Sequence, residues 1–433
     1  MLTDRDTLIA IFKAAVQSVD PYKSVVNQTN YLINSYNAGK YERLYVLSFG
    51  KAACTMARAA IDSIGELVTG GIVITKYGHA DNFSGDKMKI FEAGHPVPDE
   101  NGYRATKEAV NLLGQSDERT LLLCLISGGG SSLLVAPYPG ISLEDKQEIT
   151  KLLLRSGADI YEMNAVRKHI SMIKGGRLAA IAHPARIESL ILSDVLGDRL
   201  DVIASGPVVP DETTFEDAWK VLQKYQIDEE LPVSVTRTLR DGMQGLIPET
   251  PKPGDQIFRE VNTRIVGNNL KAIEAGKKKA EQLGFDVIIV DTAMHGEARN
   301  AGAWLANKVL THGRAKDKPV CFISGGETTV SVHGNGTGGR NMELALAFAI
   351  KVEGHEGISL LSAGTDGGDG PTDAAGAIID GLTVSRGELA SADAVQYLDN
   401  NDSYSYFKKT NELLITGPTG TNVMDLQIAL MYE

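Results

Sequence analysis

A glycine-rich segment in the first third of the chain combines residue types that bind anions. The apolar run before it, LLLCLI, is typical of a strand that is buried on both faces of a parallel sheet. The segment itself offers unobstructed backbone N–H groups, hydroxyl groups and the start of a serine-capped helix. Its residues are Ser127, Gly128, Gly129, Gly130, Ser131 and Ser132. We therefore predict an anion-binding loop, because the N–H groups and the helix dipole would point the same way.

The same pattern occurs again near the C-terminal end of the chain. Cys321–Thr329, CFISGGETT, is identical to Cys124–Ser132, CLISGGGSS, at five of nine positions, and only Gly130 against Glu327 is a non-conservative difference. The repeat indicates two α/β halves, each with a strand that ends in an SGG loop. The alternative is a chance similarity between two buried strands that are followed by tight turns.

Two cationic residues follow glycines in loops that we predict at the ligand-binding edges of the two sheets. Lys51 follows a predicted strand directly, at the start of a helix, where the helix dipole disfavours a cation unless an anion compensates it. Arg340 follows the segment HGNGTGG, and its planar fork suits bidentate binding of phosphate or carboxylate. Asn341 would cap the next helix or bind the substrate. The alternatives are a solvated lysine at a helix end and an exposed arginine in a flexible hairpin.

A basic segment, NAVRKHISMIKGGRLA, interrupts this acidic chain. Arg167, Lys174 and Arg177 recur at intervals of seven and three residues, which would place them on one face of a helix. We interpret them either as anion-binding residues or as a solvated basic face. The candidate ligands for Mg²⁺ are acids in predicted loops, namely Asp194, Glu327 and Asp366. Phosphoryl-transfer sites typically hold Mg²⁺ with one or two carboxylates and the phosphate oxygens of the substrate.

A dinucleotide-binding site is the main competing interpretation. Gly334, Gly336 and Gly339 match GxGxxG, a predicted strand precedes them at Thr328–Val332, and Asp366 follows the next strand. Against this interpretation, Arg340 lies at the mouth of the helix and the pattern comes late in its domain. Walker A, protein-kinase, HExxH and GxSxG motifs are absent from the sequence.

Composition narrows the class of protein. The 433 residues carry a formal net charge of −12, which argues against nucleic acid or an anionic membrane as the main partner. Cys54, Cys124 and Cys321 lie in apolar segments without CxxC spacing, which is typical of a reducing compartment. The first residues, MLTDRDTL, contain no apolar signal region, and no apolar run is long enough to span a membrane. We predict a cytoplasmic enzyme and leave open whether it forms a homodimer.

The order of predicted elements indicates two α/β domains with mainly parallel sheets. Strands and helices alternate in both halves, and the glycine-rich loops all follow strands, at the edge of the sheet where such folds bind ligands. Residues 228–257 show little periodicity and contain four prolines. We therefore place the boundary there and predict domains at residues 1–245 and 255–433.

Several long motifs give the sequence a family resemblance over nearly its whole length. They are GHPVPDENG, CLISGGGSSLL, NAVRKHISMIKGGRLA, SDVLGDRLDVIASGP, SGGETTV, GTGGRNMELALA and GTDGGDGPTDAAGA. In this order they resemble the glycerate 2-kinase family, whose members have a DUF4147-type N-terminal domain and a C-terminal MOFRL domain.

The resemblance implies a larger flavodoxin-like domain and a smaller α/β domain, with the active site in the cleft between them. It also implies ATP- and Mg²⁺-dependent phosphorylation of D-glycerate, most commonly on the 2-hydroxyl to give 2-phosphoglycerate. The catalytic lysine and arginine of the family match Lys51 and Arg340 by motif context. Some members have been labelled hydroxypyruvate reductases, so an NAD(P)-dependent reductase stays open as the alternative.

From these observations we assign roles for a phosphoryl transfer, which depends on positioning and charge neutralisation. Lys51 and Arg340 are the catalytic cations. The remaining substrate- and phosphate-binding candidates are the SGGGSS loop, Gly338, Gly339, Asn341, Lys174 and Arg177. A nucleotide sensor without catalytic activity is a third interpretation.

Overall fold

The computed structural model describes residues 3–80, 83, 86–312 and 318–432. The chain divides into two compact units. The first unit comprises Pro21–Val266, and the second comprises Met1–Asp20 together with Gly267–Glu433. The helix that opens the chain, α1 (Asp4–Ser18), therefore belongs to the second unit.

The first unit is a six-stranded sheet with helices. Its strands are β1 (Arg43–Phe49), β2 (Gly70–Lys76), β3 (Met88–Ala93), β4 (Thr120–Ile126), β5 (Arg186–Leu192) and β6 (Val261–Gly267). Its helices are α2 (Pro21–Val26), α3 (Thr29–Ala38), α4 (Ala53–Ile64), α5 (Glu100–Leu113), α6 (Gly130–Leu133), α7 (Leu143–Ser156), α8 (Ile160–His169), α9 (Arg177–Ala182), α10 (Phe215–Lys224) and α11 (Val233–Met243). Short 3-10 helices occur at Leu196–Asp198, Ile203–Ser205 and Gln256–Glu260.

The strand order of this sheet is β3-β2-β1-β4-β5-β6. All the pairs from β3 to β5 are parallel, and β4 is buried along its whole length, as predicted. The order is that of the dinucleotide-binding doubly wound sheets and not the flavodoxin-like order 2-1-3-4-5 implied by the resemblance. The winding direction therefore reverses between β1 and β4. In open α/β sheets, ligands bind at the carboxyl ends of the strands at this switch point.

The end of the first unit differs from the sequence prediction. The stretch 228–257, predicted to be a boundary region, contains α11, whose Val235 and Leu239 lie in an apolar core with residues of α7, α8 and α10. The chain then adds β6 beside β5 before it enters the second unit. The prolines that suggested a linker lie in the short connections on either side of α11.

The second unit is also a six-stranded sheet with helices. Its strands are β7 (Asp286–Met294), β8 (Val320–Gly326), β9 (Ile358–Gly364), β10 (Gly376–Asp380), β11 (Leu413–Leu414) and β12 (Asp425–Met431). Besides α1, its helices are α12 (Asn269–Gln282), α13 (Ala298–His312), α14 (Arg340–Lys351), α15 (Thr383–Leu389), α16 (Ala394–Asp399) and α17 (Ser403–Thr410).

The second sheet is mixed, in the order β11-β10-β9-β12-β8-β7: β7, β8, β9 and β11 run in one direction, and β10 and β12 run in the other. β7 and β8 are parallel, and the last strand, β12, lies antiparallel between β8 and β9. Because β12 enters the sheet in the opposite direction, its first residue, Asp425, lies opposite Gly326 and Gly364, the last residues of β8 and β9. The N-terminal residue of one strand thus shares an edge with the C-terminal ends of two others.

The first helix joins this unit through its apolar face. Leu8, Ile11, Phe12 and Ala15 are buried, and α12 approaches closely at Gly276, where an added Cβ would lie 3.5 Å from Ile11. The predicted domain 1–245 placed this helix with the first half of the chain, since sequence order alone does not show which core a terminal helix covers.

The prediction of two α/β units is confirmed, and so are most of the predicted helices and strands. Thr3 and Ser142 cap α1 and α7 through the predicted capping boxes. Cys54, Cys124 and Cys321 are buried thiols. None of the helices in the described ranges combines the length and the apolar character that crossing a bilayer requires.

Candidate active site

The loops after β1 and β4 are joined at the switch point of the first sheet. The Lys51 N–H donates to the Gly128 carbonyl at 2.8 Å, and the Ala52 N–H donates to the Ser127 hydroxyl at 3.1 Å. At Gly50, with φ 125°, an added Cβ would overlap Ser127. A glycine is therefore required between β1 and Lys51, and the contact fixes Lys51 beside the SGGGSS loop.

The SGGGSS loop is a tight turn in which some backbone N–H groups have no backbone acceptor. Gly129 has φ 83°, and the N–H groups of Gly130 and Ser132 are satisfied within the loop. Among the described residues, no backbone carbonyl accepts a hydrogen bond from the N–H groups of Gly128, Gly129 and Ser131. The predicted serine cap and helix dipole are wrong, because Gly129 is the N-cap, makes no side-chain cap bond, and starts a helix of only four residues. The anion-binding capacity of the loop rests on its N–H groups.

Lys51 and His95, the latter just after β3, both lie against the SGGGSS loop. A Cβ added to Gly129 would lie 2.8 Å from His95 Cδ2 and 3.5 Å from Lys51 Cγ. Burial, together with the smaller effects of the nearby charges of Lys51 and Lys76, lowers the pKa of His95 to about 4. The imidazole is therefore neutral at physiological pH, and Lys51 supplies the positive charge next to the loop.

Asp194, at the end of β5, lies against the opening of the same loop. A Cβ added to Gly128 would overlap Asp194 Oδ2 and would lie 2.7 Å from its Cγ. The glycine thus allows a carboxylate to approach the backbone of an anion-binding loop. An anion bound there and this carboxylate repel each other unless a cation lies between them.

Lys174 contacts the far end of the loop. Its Nζ donates to the Ser131 carbonyl at 2.8 Å and to the Ser131 hydroxyl at 3.0 Å. The Ser131 and Ser205 hydroxyls are 2.9 Å apart, and the Ser205 hydroxyl donates to Asn164 Oδ1 at 3.0 Å. Lys174 is fixed because the N–H of the following glycine donates to the Ser205 carbonyl at 3.0 Å.

The predicted common helix face of Arg167, Lys174 and Arg177 is wrong. Arg167 lies on α8, Lys174 lies in the buried connection after it, and Arg177 starts α9. Two glycines with positive φ follow Lys174 and separate the two helices. Arg177 stacks on Tyr138, 5.4 Å from the ring centroid, and donates to the Pro248 carbonyl. Its role as a binding residue remains a prediction.

We expect Gly129→Ala to lower kcat/KM by at least about tenfold, because the added Cβ would displace His95 or Lys51 from the loop. Gly140→Ala is the matched control. Gly140 has φ 91°, similar to the 83° of Gly129, but no atom lies within 4 Å of its added Cβ. Both substitutions strain the backbone to a similar extent. A difference in kcat/KM between the two variants therefore reports the contacts of Gly129 with His95 and Lys51. Equal activities of the two variants would contradict this role.

In the second unit, Arg340 is held at the edge where Asp425 meets the ends of β8 and β9. Its Nη2 donates to Asp425 Oδ1 at 2.9 Å, its Nε contacts Oδ2 at 2.5 Å, and its Nη1 lies 2.9 Å from Glu327 Oε1. Burial alone would lower the pKa of Arg340, but the hydrogen bond to Asp425 and the charges of Asp425 and Glu327 raise it above its ordinary value. One edge of the guanidinium fork is thus occupied by Asp425, so a ligand would meet the Nη1 side.

Two further acids, Asp366 and Asp369, lie in the loop that follows β9 in the same unit. A Cβ added to Gly364 would lie 3.1 Å from Asp366 Oδ1 and 3.6 Å from Asp425 Oδ1. Asp369 is buried and accepts the N–H groups of Asn341 and Met342 at 3.1 and 2.8 Å. Burial raises the pKa of Asp369 to about 7. In the described ranges, no three acidic, histidine or cysteine side chains form a metal-binding group.

Asn341 does not cap α14, which corrects one prediction. Gly339 is the N-cap of α14. The N–H groups of the first turn donate to the carboxylate of Asp369, which lies in the loop between β9 and β10. The Asn341 side chain is buried, and its Oδ1 accepts a hydrogen bond from Ser362 at 2.9 Å. A role for Asn341, Gly338 and Gly339 in substrate binding remains a prediction.

The GxGxxG match does not form a dinucleotide-binding turn. The predicted strand Thr328–Val332 contributes only an isolated bridge at Thr329. The N–H groups of the loop donate within the protein, those of His333 and Gly334 to Asn401 Oδ1 and that of Gly336 to the Asn400 carbonyl. Its glycines allow close packing against the segment 400–403. These N–H groups are therefore committed to the protein and are not oriented toward a pyrophosphate.

The predicted second SGG loop is also wrong. Ser324, Gly325 and Gly326 belong to β8 and pair with β12 along its first residues. Gly325 and Gly326 make room for Asn269 and for the Met294 backbone, with which an added Cβ would overlap. The two similar sequences therefore differ in structure, because only the second has an antiparallel neighbour that extends its pairing.

Two family models match successive parts of the chain. Residues 7–240 match the family described as a domain of unknown function (DUF4147), and residues 320–425 match the MOFRL family. A D-glycerate 2-kinase of Thermotoga maritima is 48% identical over 426 residues, which cover 98% of this chain and 97% of that relative. The chain belongs to the glycerate 2-kinase family.

One solved structure shares the whole fold, and a second relative is similar in sequence over the whole chain. The crystal structure of a glycerate kinase from Thermotoga maritima has a TM-score of 0.89 and 47% identity, with 98% of both chains covered. A glycerate 2-kinase of Pyrococcus horikoshii is 41% identical, over 99% of this chain and 97% of that relative. The resemblance inferred from the motifs is confirmed.

Four residues of the site were absent from the sequence prediction. His95 stood in a quoted motif, GHPVPDENG, and its position just after β3 was an available signal. Ser205 and Asn164 likewise lie in quoted motifs, but only the fold brings them to Ser131. Asp425 gave no sequence signal, since its position depends on the antiparallel insertion of β12.

Proposed function

We propose that this protein is an ATP-dependent glycerate 2-kinase, which transfers the γ-phosphoryl group of ATP to the 2-hydroxyl of D-glycerate. The products are ADP and 2-phosphoglycerate. In the transfer, the hydroxyl oxygen bonds to the γ-phosphorus, the bond from the γ-phosphorus to the bridging oxygen of ADP breaks, and the hydroxyl proton is released to water. The observation that supports this most strongly is the junction of Lys51 with the SGGGSS loop at the switch point of a doubly wound sheet.

That junction provides what phosphoryl transfer requires, namely fixed donors and positive charge. The N–H groups of Gly128 and Gly129 have no backbone carbonyl as acceptor in the described structure. Lys51 adds a full charge beside them, while neutral His95 occupies the space next to Gly129. We assign these groups to the phosphate oxygens of ATP. They are positioned before the substrate binds, so little reorganisation is needed.

Arg340 is assigned to the transferring phosphoryl group. Asp425 holds its Nε and Nη2 edge, which orients the guanidinium and leaves the Nη1 side for a ligand. Glu327 lies on that side, 2.9 Å from Nη1, and a bound phosphoryl oxygen would compete with it. The arrangement supports a positioned cation with one committed edge.

Magnesium fits the carboxylates near these groups. Asp194 lies against the anion-binding loop at Gly128, where a cation would relieve its repulsion from bound phosphate. Glu327 and Asp366 are hard oxygen donors of the same kind beside Arg340 and Asp425. When bound, Mg²⁺ would neutralise phosphate charge during the transfer. We assign Asp194 as the first candidate ligand, with Glu327 and Asp366 as the others.

The alternative, an NAD(P)-dependent hydroxypyruvate reductase, has less support. Its pyrophosphate site was expected at the GxGxxG segment, whose N–H groups are hydrogen-bonded to Asn400 and Asn401. The cytoplasmic location and the homodimer rest on the sequence alone and stay predictions.

One assay separates the two activities. We expect the purified protein to release ADP when it receives D-glycerate, ATP and MgCl₂, and to leave NADH unchanged when it receives hydroxypyruvate. Omission of D-glycerate is the control, since it measures ATP hydrolysis by water. Oxidation of NADH without ADP release would replace the kinase by the reductase. Binding of ATP in calorimetry without either turnover would instead indicate a nucleotide sensor.

A further inference from the structure

Three cationic side chains lie together inside the first unit, behind the SGGGSS loop. We call them the cation cluster: Lys146 on α7, Arg167 on α8, and Lys174 in the connection before α9. Lys146 and Lys174 are only 4% and 2% exposed. Buried lysines are rare in proteins unless they are paired with an acid.

No acid of the described chain compensates this cluster. Burial, together with the smaller effect of the Arg167 charge, lowers the pKa of Lys146 to about 7. The pKa of Lys174 is well below its ordinary value. Burial is the main cause, and the charges of Lys146 and Arg167 act in the same direction. The neighbouring Lys168, in contrast, pairs with Asp211 at 3.2 Å. The protein thus neutralises one buried lysine in this region and leaves two without a carboxylate.

Unused hydrogen-bond donors accompany the uncompensated charge. Within the described structure, Lys146 Nζ and Asn164 Nδ2 are buried and have no hydrogen-bond partner. The Asn164 Oδ1 accepts from Ser205, so the orientation of its amide is fixed with Nδ2 left over. Lys174 donates to Ser131 and connects the cluster to the SGGGSS loop. A buried donor without a partner is costly, so such a group indicates a ligand that would complete it.

We propose that the cation cluster binds the carboxylate of the small hydroxy acid that accepts the phosphoryl group, an inference that rests on the proposed function. A carboxylate accepts several hydrogen bonds in a small volume and brings the missing negative charge. Lys51 and the N–H groups of Gly128 and Gly129 lie at the other end of the loop and are assigned to phosphate. The loop would therefore separate two anions, with the acceptor on the Ser131 side. Inorganic phosphate shares the chemistry of a small oxyanion and is the competing occupant.

The test is Lys146→Met, because methionine has a similar length and no charge. We expect KM for D-glycerate to rise at least tenfold and KM for ATP to stay within twofold. Direct calorimetric titration with D-glycerate alone should show the same loss. The melting temperature should be unchanged or higher, since an unpaired buried charge has been removed. A purely structural lysine would instead lower the melting temperature and leave the affinity for D-glycerate unchanged.

Lys151→Met is the matched control on the same helix. Lys151 is exposed, and its ion pair is a 3.8 Å contact with Glu148. Its substitution should leave both KM values within twofold of wild type. If Lys146→Met does not fold, Arg167→Gln changes a less buried member of the cluster and should raise KM for D-glycerate in the same way.

Each outcome supports or overturns the inference. Unchanged D-glycerate binding in Lys146→Met overturns it. Weaker binding of inorganic phosphate or ATP, with D-glycerate unaffected, shows that the cluster binds phosphate and overturns the carboxylate assignment. The calorimetric titration needs no turnover, so a wild-type protein that binds D-glycerate without phosphorylating it would refute the proposed function separately.

Discussion

Lys51→Ala is expected to reduce kcat by about 10³-fold, the typical loss when one preorganised charge is removed from a phosphoryl-transfer site. The backbone of Lys51 is held by Gly128, so the substitution removes the ammonium group and leaves the loop junction in place. KM for D-glycerate should change much less than kcat, because Lys51 is assigned to the phosphates. Steady-state kinetics with D-glycerate and ATP measures both parameters.

Lys89→Ala provides the control for this result. Lys89 lies near the start of β3, at the opposite edge of the same sheet, and its exposed side chain contacts Glu108 at 2.8 Å. We expect its activity to stay within twofold of wild type. Wild-type turnover by Lys51→Ala would exclude Lys51 from the reaction.

Arg340→Lys is expected to have a comparable effect on kcat, about 10²- to 10³-fold, although it keeps the charge. A lysine has no planar fork, so it could not bind Asp425 with two donors and also present a fixed donor to the phosphoryl group. The loss should therefore appear in kcat and kcat/KM together, as for an interaction made in the transition state.

The chain contains a well-matched control for Arg340. Arg386 also lies between two acids of the second unit, Asp380 and Glu412. Asp380 pairs with Ser359 at the start of β9, so this arginine is at the opposite edge of the sheet from Asp425. Arg386→Lys should lower stability but leave kcat within a few-fold of wild type. Equal losses in the two variants would mean that Arg340 acts only through the fold.

The sequence predicted the first unit well, because local patterns determine most of it. An apolar run bounded by glycine specified β4, and the capping boxes specified the starts of α1 and α7. Once β1 and β4 are neighbours in a parallel sheet, Lys51 and the SGGGSS loop must meet at one edge. The strand order, however, depends on how the crossovers wind, and the resemblance implied a different one.

The second unit was less predictable, because its site depends on a contact between distant parts of the chain. The segment CFISGGETT resembles CLISGGGSS in sequence, yet its glycines lie in a strand because β12 pairs with them. The same insertion brings Asp425 to Arg340. Neither composition nor periodicity indicates that the last strand enters the sheet between β8 and β9.

The cation cluster illustrates a related limit of sequence analysis. Lys146, Arg167 and Lys174 lie in segments with ordinary amphipathic patterns, in which lysine and arginine are usually solvated. Their burial results from the packing of α7 and α8 with the connection that leads to α9. The sequence left Arg167 and Lys174 open between anion binding and a solvated basic face, and it gave no reason to single out Lys146.

The most direct test of the central claim is to follow the reaction by ³¹P NMR with D-glycerate, ATP and MgCl₂. We predict that the γ-phosphate signal of ATP is replaced by equal amounts of ADP and a phosphate ester on carbon 2 of glycerate. The Lys51→Ala variant should show neither signal over the same time. Formation of inorganic phosphate alone, or no loss of ATP while NADH is oxidised by hydroxypyruvate, would contradict the assignment of this protein as a glycerate 2-kinase.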